Sequence, residues 1–178
     1  MAEFIIENGK LSLCICTSKD THIKIPEGIT EIGDGAFFHC TNLESLEIPE
    51  GLEKIGKRAF TECGKLKHVN FPSTLKCIDD WAFTFCEALR EIEIPNGVKM
   101  ISNYMFYRCS NLTSIILPDS ITNIDHSAFS QCTKLKEIKY LGTKQQAIAC
   151  RIGDKSNTEW RENSGIEKII CTDGEIIL

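Results

Sequence analysis

The residues with the strongest claim to chemistry in this chain are ten cysteines, one Asp-His-Ser run and a set of glutamates. Cysteine recurs every 23 residues at Cys40, Cys63, Cys86, Cys109 and Cys132, and Cys14, Cys16, Cys77, Cys150 and Cys171 stand outside that series. Structural zinc sites are usually announced by Cys-x-x-Cys pairs; none is present, and no metal ligand is assigned. Asp125-His126-Ser127 holds the three side-chain types of a nucleophilic triad. A nucleophile must lie within hydrogen-bond reach of its base, and consecutive residues point in different directions, so the run reads as a solvated turn. Glu47, Glu91, Glu93 and Glu137 would supply the paired carboxylates of a hydrolase if one face gathered them. Strand faces carry such charges without catalysis, and no catalytic residue is assigned. Gly142-Thr143-Lys144 lacks the glycine spacing of a phosphate loop, so no cofactor is implied.

The elements that position these residues keep the same beat. All five prolines (Pro26, Pro49, Pro72, Pro95, Pro118) are 23 residues apart, as are Phe37, Phe60, Phe83, Phe106 and Phe129. Leucine fills Leu43, Leu66, Leu89, Leu112 and Leu135, and isoleucine fills Ile32, Ile55, Ile78, Ile101 and Ile124. Five units without insertion run from Ile25 to Lys139, as stacked coils of equal path length require. No single coil covers its own apolar face, so neighbours must supply the cover.

Within a unit, Leu43-x-x-Leu46-x-Ile48 predicts a strand with Leu46 and Ile48 inward. Pro49 ends it, because proline has no N–H for the ladder. Glu50-Gly51 provides a turn, Leu52 to Ile55 a second short extended segment, and Ala59-Phe60 a short helical turn that turns Phe60 and Cys63 inward. The predicted sheet uses residues near Ser45 to Ile48, His68 to Phe71, Glu91 to Ile94, Ser114 to Leu117 and Glu137 to Lys139. The crossover rule makes the winding right-handed. The fold class is therefore an α/β solenoid: a right-handed curved array with a parallel sheet on the concave face and helical turns on the outer wall.

Both ends carry hairpin signals. Asn8-Gly9 separates Phe4-Ile5-Ile6 from Leu11 to Cys16, and Asp173-Gly174 separates Ile166 to Cys171 from Ile176 to Leu178. These predict capping hairpins and a division into an N-terminal cap (1–24), five repeats (25–139) and a C-terminal cap (140–178), together one structural domain. Thr143 to Arg151 reads as a short helix, and residues 153–164 as a polar stretch relieved by Trp160, which is expected to pack on the final coil.

With 178 residues, 42% of them hydrophobic, the chain can bury a continuous core. A formal charge of −5 disfavours nucleic acid as a partner, and no apolar run is long enough for membrane insertion. Met-Ala-Glu-Phe is not the start of a secretory signal, which gives a cytoplasmic expectation. Side chains in a repeat column run parallel between coils about 4.8 Å apart and do not converge as a disulfide requires, so reduced cysteines are expected.

The pattern Ile-Pro-x-x-Ile-x-x-Ile-Gly-x-x-Ala-Phe-x-x-Cys-x-x-Leu-x-x-Leu/Ile resembles the BspA-like leucine-rich repeats over Ile25 to Lys139, and Tyr140 to Thr143 with Ile170 to Gly174 resembles that family's C-terminal end. Departures are local: Phe71 and Leu117 precede proline in place of Ile, Met105 replaces Ala, and Asp79, Ser102 and Asp125 replace Gly. The resemblance implies a scaffold that binds an unidentified protein by adhesion-type contacts, with a cell-surface or secreted setting as the alternative location. A structural repeat domain without a dedicated ligand is the competing reading. Recognition is expected on the open sheet face, at Glu47, His68, Asn70, Glu91, Glu93, Ser114, Ile116, Glu137 and Lys139. A second expected contact is an outer patch of Trp81, Phe85, Tyr104 and Tyr107, which would serve a partner or a weak homo-oligomer.

Overall fold

Each 23-residue coil of the computed structural model, which describes residues 2–152 and 158–178, passes along three sides of a common core. The first side is the predicted strand face. It contains β3 (His22–Lys24) and β5 (Ser45–Glu47), then β8 (Glu91–Glu93), β10 (Ser114–Leu117), β12 (Glu137–Tyr140) and β13 (Lys168–Cys171). Pairing is parallel throughout and in register by whole coils, His22 with Ser45 and Ser114 with Glu91. The second side is the short extended segment after each proline: β4 (Glu31–Ile32), β6 (Lys54–Ile55), β7 (Cys77–Ile78), β9 (Met100–Ile101) and β11 (Asn123–Ile124), again parallel.

The third side corrects a prediction. Among the described residues 25–139 there is no helix; each outer segment is a run of hydrogen-bonded turns with two residues in the left-handed region. These are Gly35 and His39, then Arg58 and Glu62, Trp81 and Phe85, Tyr104 and Arg108, and Ser127 and Gln131, with φ between 52° and 63°. The alternation aims every second N–H along the stack. Gly35, Phe37 and His39 donate to the carbonyls of Lys57, Ala59 and Thr61, and the same three bonds recur at every interface to the last, where Ser127, Phe129 and Gln131 donate to Glu159, Trp160 and Glu162. Left-handed φ costs a non-glycine residue about 1–2 kcal/mol. The inter-coil bonds and the Phe burial that the turn permits offset it.

All five column phenylalanines are fully buried, their rings stacked with centroids 4.9 to 5.8 Å apart. Burying each contributes about 1.5–3 kcal/mol. The column cysteines fill the gaps, and Cys63, Cys86, Cys109 and Cys132 each donate Sγ–H to the carbonyl of the phenylalanine 26 residues earlier.

Both hairpins form. β1 (Glu3–Glu7) and β2 (Lys10–Ile15) are antiparallel about Asn8 (φ 50°) and Gly9 (φ 77°), and β2 pairs with β4. At the other end β13 pairs in parallel with β12 and returns as β14 (Gly174–Ile177) through Thr172-Asp173, one residue earlier than the predicted Asp173-Gly174 turn, because Gly174 already pairs with Cys171. The helix α1 (Lys144–Ala149) starts at Thr143, whose hydroxyl accepts from the Gln146 N–H while the Gln146 side chain accepts from the Thr143 N–H. Trp160, in the single-turn 3-10 helix Glu159–Arg161, closes the core edge-on to Phe129 at 6.1 Å. Of the predicted polar stretch, 153–157 lies outside the described residues.

Candidate functional site

The strand face is not continuous. His68 to Phe71, predicted as a strand, carries no strand structure, and none of its backbone groups bonds to the coil on either side. The sheet is split there into β3-β5 and the larger set from β8 to β14. The break coincides with Phe71, the one aromatic residue in the pre-proline column that is otherwise Ile25, Ile48, Ile94 and Leu117, and its ring lies edge-on against Phe83 at 5.7 Å.

The gap forms a groove of about 790 Å³. His68, Asn70, Glu91, Glu93, Ser114 and Ile116 of the predicted face line it, joined by Glu50 and Ser73 from the post-proline turns of two successive coils and floored by buried Val69 and Ile92. Glu50, Glu91 and Glu93 give it an acidic lining, with no Lys or Arg among the lining residues. Glu47, Glu137 and Lys139 share the face but lie outside the groove; Glu47 faces Lys24 at 3.6 Å, and Glu137 faces Lys168 at 3.5 Å. The carboxylates that would have served a hydrolase are thus divided between a groove and two ion pairs.

The predicted aromatic patch is brought together, although not by a helix. Trp81 and Tyr104 stack at 5.7 Å, Tyr104 meets Tyr107 edge-on, and Tyr107 meets Phe85 edge-on. The Arg58 guanidinium lies 5.1 Å from the Trp81 ring and that of Arg108 5.2 Å from Phe85. Sequence reasoning missed Phe38, which is 52% exposed and with Trp81, Arg58, Lys57, Asp34 and Gly35 borders a second hollow. A signal was available. Phe38 and Tyr107 occupy the repeat phase that elsewhere holds Thr61, Thr84 and Ser130, buried residues whose hydroxyls donate to the next coil's carbonyls.

The expectation of fully reduced cysteines is overturned at one end. Cys16 is bonded to Cys40, and the Cys14 thiol lies 3.3 Å from Cys16. Column side chains do run parallel, but Cys16 is not in the column; the N-terminal hairpin brings it to the column's first member. Elsewhere burial pushes the thiols of Cys63 and Cys132 up to about 12, and those of Cys86 and Cys109 well above their ordinary value, so these four are packing groups and not nucleophiles.

Asp125, His126 and Ser127 do not assemble. Asp125 takes the Asn123 amide, His126 faces Glu159 at 3.6 Å, and the Ser127 N–H donates to the Glu159 carbonyl. Gly142 packs under the Tyr140 ring, Thr143 caps the helix and the Lys144 N–H donates to Asp173, so that run is structural.

A family model of the BspA-type leucine-rich repeat region matches six copies over residues 12–140. Among solved structures, a leucine-rich repeat protein of T. pallidum is 25% identical with a TM-score of 0.71, over 78% of this chain and 68% of that one. A leucine-rich cell surface protein of Faecalibacterium prausnitzii is 35% identical with a TM-score of 0.73, over 79% of this chain and 37% of that one. The pneumococcal vaccine antigen PcpA shares the fold at 23% identity and a TM-score of 0.64, over 89% of this chain and 44% of that one. This chain therefore spans under half the length of each of the latter two. No curated protein matches it.

Proposed function

Because the chain belongs to the BspA-type leucine-rich repeat family, we propose that it is a non-enzymatic protein-binding module whose partner enters the groove at His68 to Phe71. The carrying observation is the interrupted sheet: backbone donors and acceptors left without a neighbouring strand, above an apolar floor and beside three carboxylates. Backbone left without ladder partners takes an extended segment by hydrogen bonding, and an acidic rim selects a basic one. The ligand class is an extended Lys- or Arg-bearing stretch of another protein. Selection from a random-peptide display library tests this: basic peptides should be enriched, and the double variant Glu91→Lys, Glu93→Lys should lose them. Retention of the same peptides by that variant sinks the groove as the binding surface.

A second contact is favoured by the linked rings of Trp81, Tyr104, Tyr107 and Phe85, residue types that anchor interfaces. It serves self-association through the outer wall. Trp81→Ser with Tyr104→Ser should shift sedimentation toward monomer while the buried Phe column holds the melting temperature. A sedimentation profile identical to the parent's shows the rings to be local packing.

A further inference from the structure

Three of the ten cysteines meet at one corner. Cys14 and Cys16 lie two apart near the end of β2 and so project to the same side, and Cys40 closes the first outer-wall segment. All three Sγ atoms lie within 4.8 Å of one another. Cys14 and Cys40 are buried and Cys16 is half-buried, which leaves a single direction of access.

This corner departs from the repeat. One period before Phe37 the chain carries Cys14, so a thiol stands where the phenylalanine column would continue. Later column cysteines spend their Sγ–H on a carbonyl 26 residues back, whereas the Cys40 sulfur is turned toward Cys16. Repeat packing explains neither arrangement. The sulfurs converge here and repeat one arrangement along the column from Cys63 to Cys132.

We propose that the Cys14, Cys16 and Cys40 sulfurs form, once the Cys16–Cys40 bond is reduced, a binding site for one thiophilic cation of the Zn2+ class. Tetrahedral zinc holds thiolate sulfurs at about 2.3 Å and hence roughly 3.8 Å from each other. Cys14 is already 3.3 Å from Cys16, and with all three sulfurs inside 4.8 Å of one another the required spacing lies within the reach of the cluster. Only Cys16 and Cys40 must part. Reduction by a phosphine adds two electrons and two protons to that pair and leaves the phosphine oxide, its oxygen taken from water. Cation binding then releases the three thiol protons to solvent. Three protein ligands leave a fourth position open on the half-buried Cys16 side. The ion would take over the disulfide's task of tying the N-terminal hairpin to the first coil, so the cap has one covalent and one coordinate fastening, selected by redox state.

The test uses the full chain, phosphine-reduced and metal-free, titrated with zinc and analysed for metal after gel filtration. One zinc per chain is expected, falling to none in Cys14→Ser, Cys16→Ser and Cys40→Ser and unchanged in Cys77→Ser. Cobalt in place of zinc should show the thiolate charge-transfer absorption of a sulfur-rich tetrahedral site. A measurement needing no variant is protection from alkylation: zinc should slow iodoacetamide modification of Cys14, Cys16 and Cys40 in the reduced parent, and not that of Cys77, Cys150 or Cys171. The proposal is overturned by a reduced parent that retains no zinc, by stoichiometric binding in the triple serine variant, by equal binding to the disulfide form, or by protection at other cysteines.

Discussion

The outer wall and the strand face are built from the same repeats and tolerate them differently. Three N–H groups of each wall segment reach the next coil, from Gly35 through to Glu162, although the left-handed positions hold residues as unlike as Arg58, Trp81, Ser127 and Gln131. The strand face loses its ladder on both sides of His68 to Phe71. The second extended side also parts, between β7 and β9, where the Ser102 hydroxyl takes the Ile78 carbonyl that a backbone N–H takes in the neighbouring coils. The difference lies in where side chains sit relative to the bonds. The wall ladder is kept whatever residue stands at its left-handed positions, whereas the strand ladder is missing at the one coil whose pre-proline residue is aromatic, Phe71. Continuity is assigned to the wall and variation to the strands, which is also where a partner can be received.

The largest test removes what both sides share. Phe83 touches Phe60, Phe106 and Phe71, and Phe83→Ala should cost about 3–5 kcal/mol in urea unfolding. A loss under 1 kcal/mol would mean that the wall stands without its column.

Alkali attacks the same core. Folded-state thiol values raised to about 12 at Cys63 and Cys132, and well above 9.0 at Cys86 and Cys109, mean that the unfolded chain releases these protons first. The stability they contribute is complete below pH 9 and declines as pH rises toward the folded values, by about 1.4 kcal/mol per pH unit for each thiol. Unfolding free energy measured from pH 8 to 11 should fall steeply, and more shallowly in Cys63→Ala.

Next, Arg108→Val places a branched side chain at φ 57° and should destabilise by about 1–2 kcal/mol, while Ser114→Val on β10 should stay within about 0.5 kcal/mol. Equal effects would erase the distinction between the two sides. The smallest change is to Phe71→Ile, which restores the pre-proline column. It should alter stability by less than about 1.5 kcal/mol and yet close the groove and abolish peptide capture. Hydrogen exchange at Val69 and Asn70 should slow in that variant as the ladder forms.

Much of the coil was legible because apolar residues repeat without slippage: both strand sides apart from His68 to Phe71, the buried Phe and Cys columns, the two hairpins, α1 and the seating of Trp160 follow from period and turn chemistry alone. The wall was misread as helical because Phe and Cys three apart fit a helix equally well. Nine of its ten left-handed positions are not glycine, so nothing in the residue types betrays their backbone. The groove was half legible. Six of its lining residues follow from strand alternation, but a missing ladder is not written in an alternation that His68 to Phe71 shares with the other coils. The sulfur corner was hidden because it joins a residue of the repeat to two of the cap.

The surface charges carry an instruction about folding that the core cannot. A stack of near-identical coils invites a chain to skip one, since phenylalanine would still lie on phenylalanine. Along one edge, however, Glu31 faces Lys10 on one side and Lys54 on the other, and along another Lys24 faces Glu47. Omitting a coil would set Lys10 beside Lys54 and Glu47 beside Glu93, like against like. Each contact is exposed and weak, worth at most about 1 kcal/mol. Together they act as a parity check, cheap in the correct register and repulsive in the nearest wrong one.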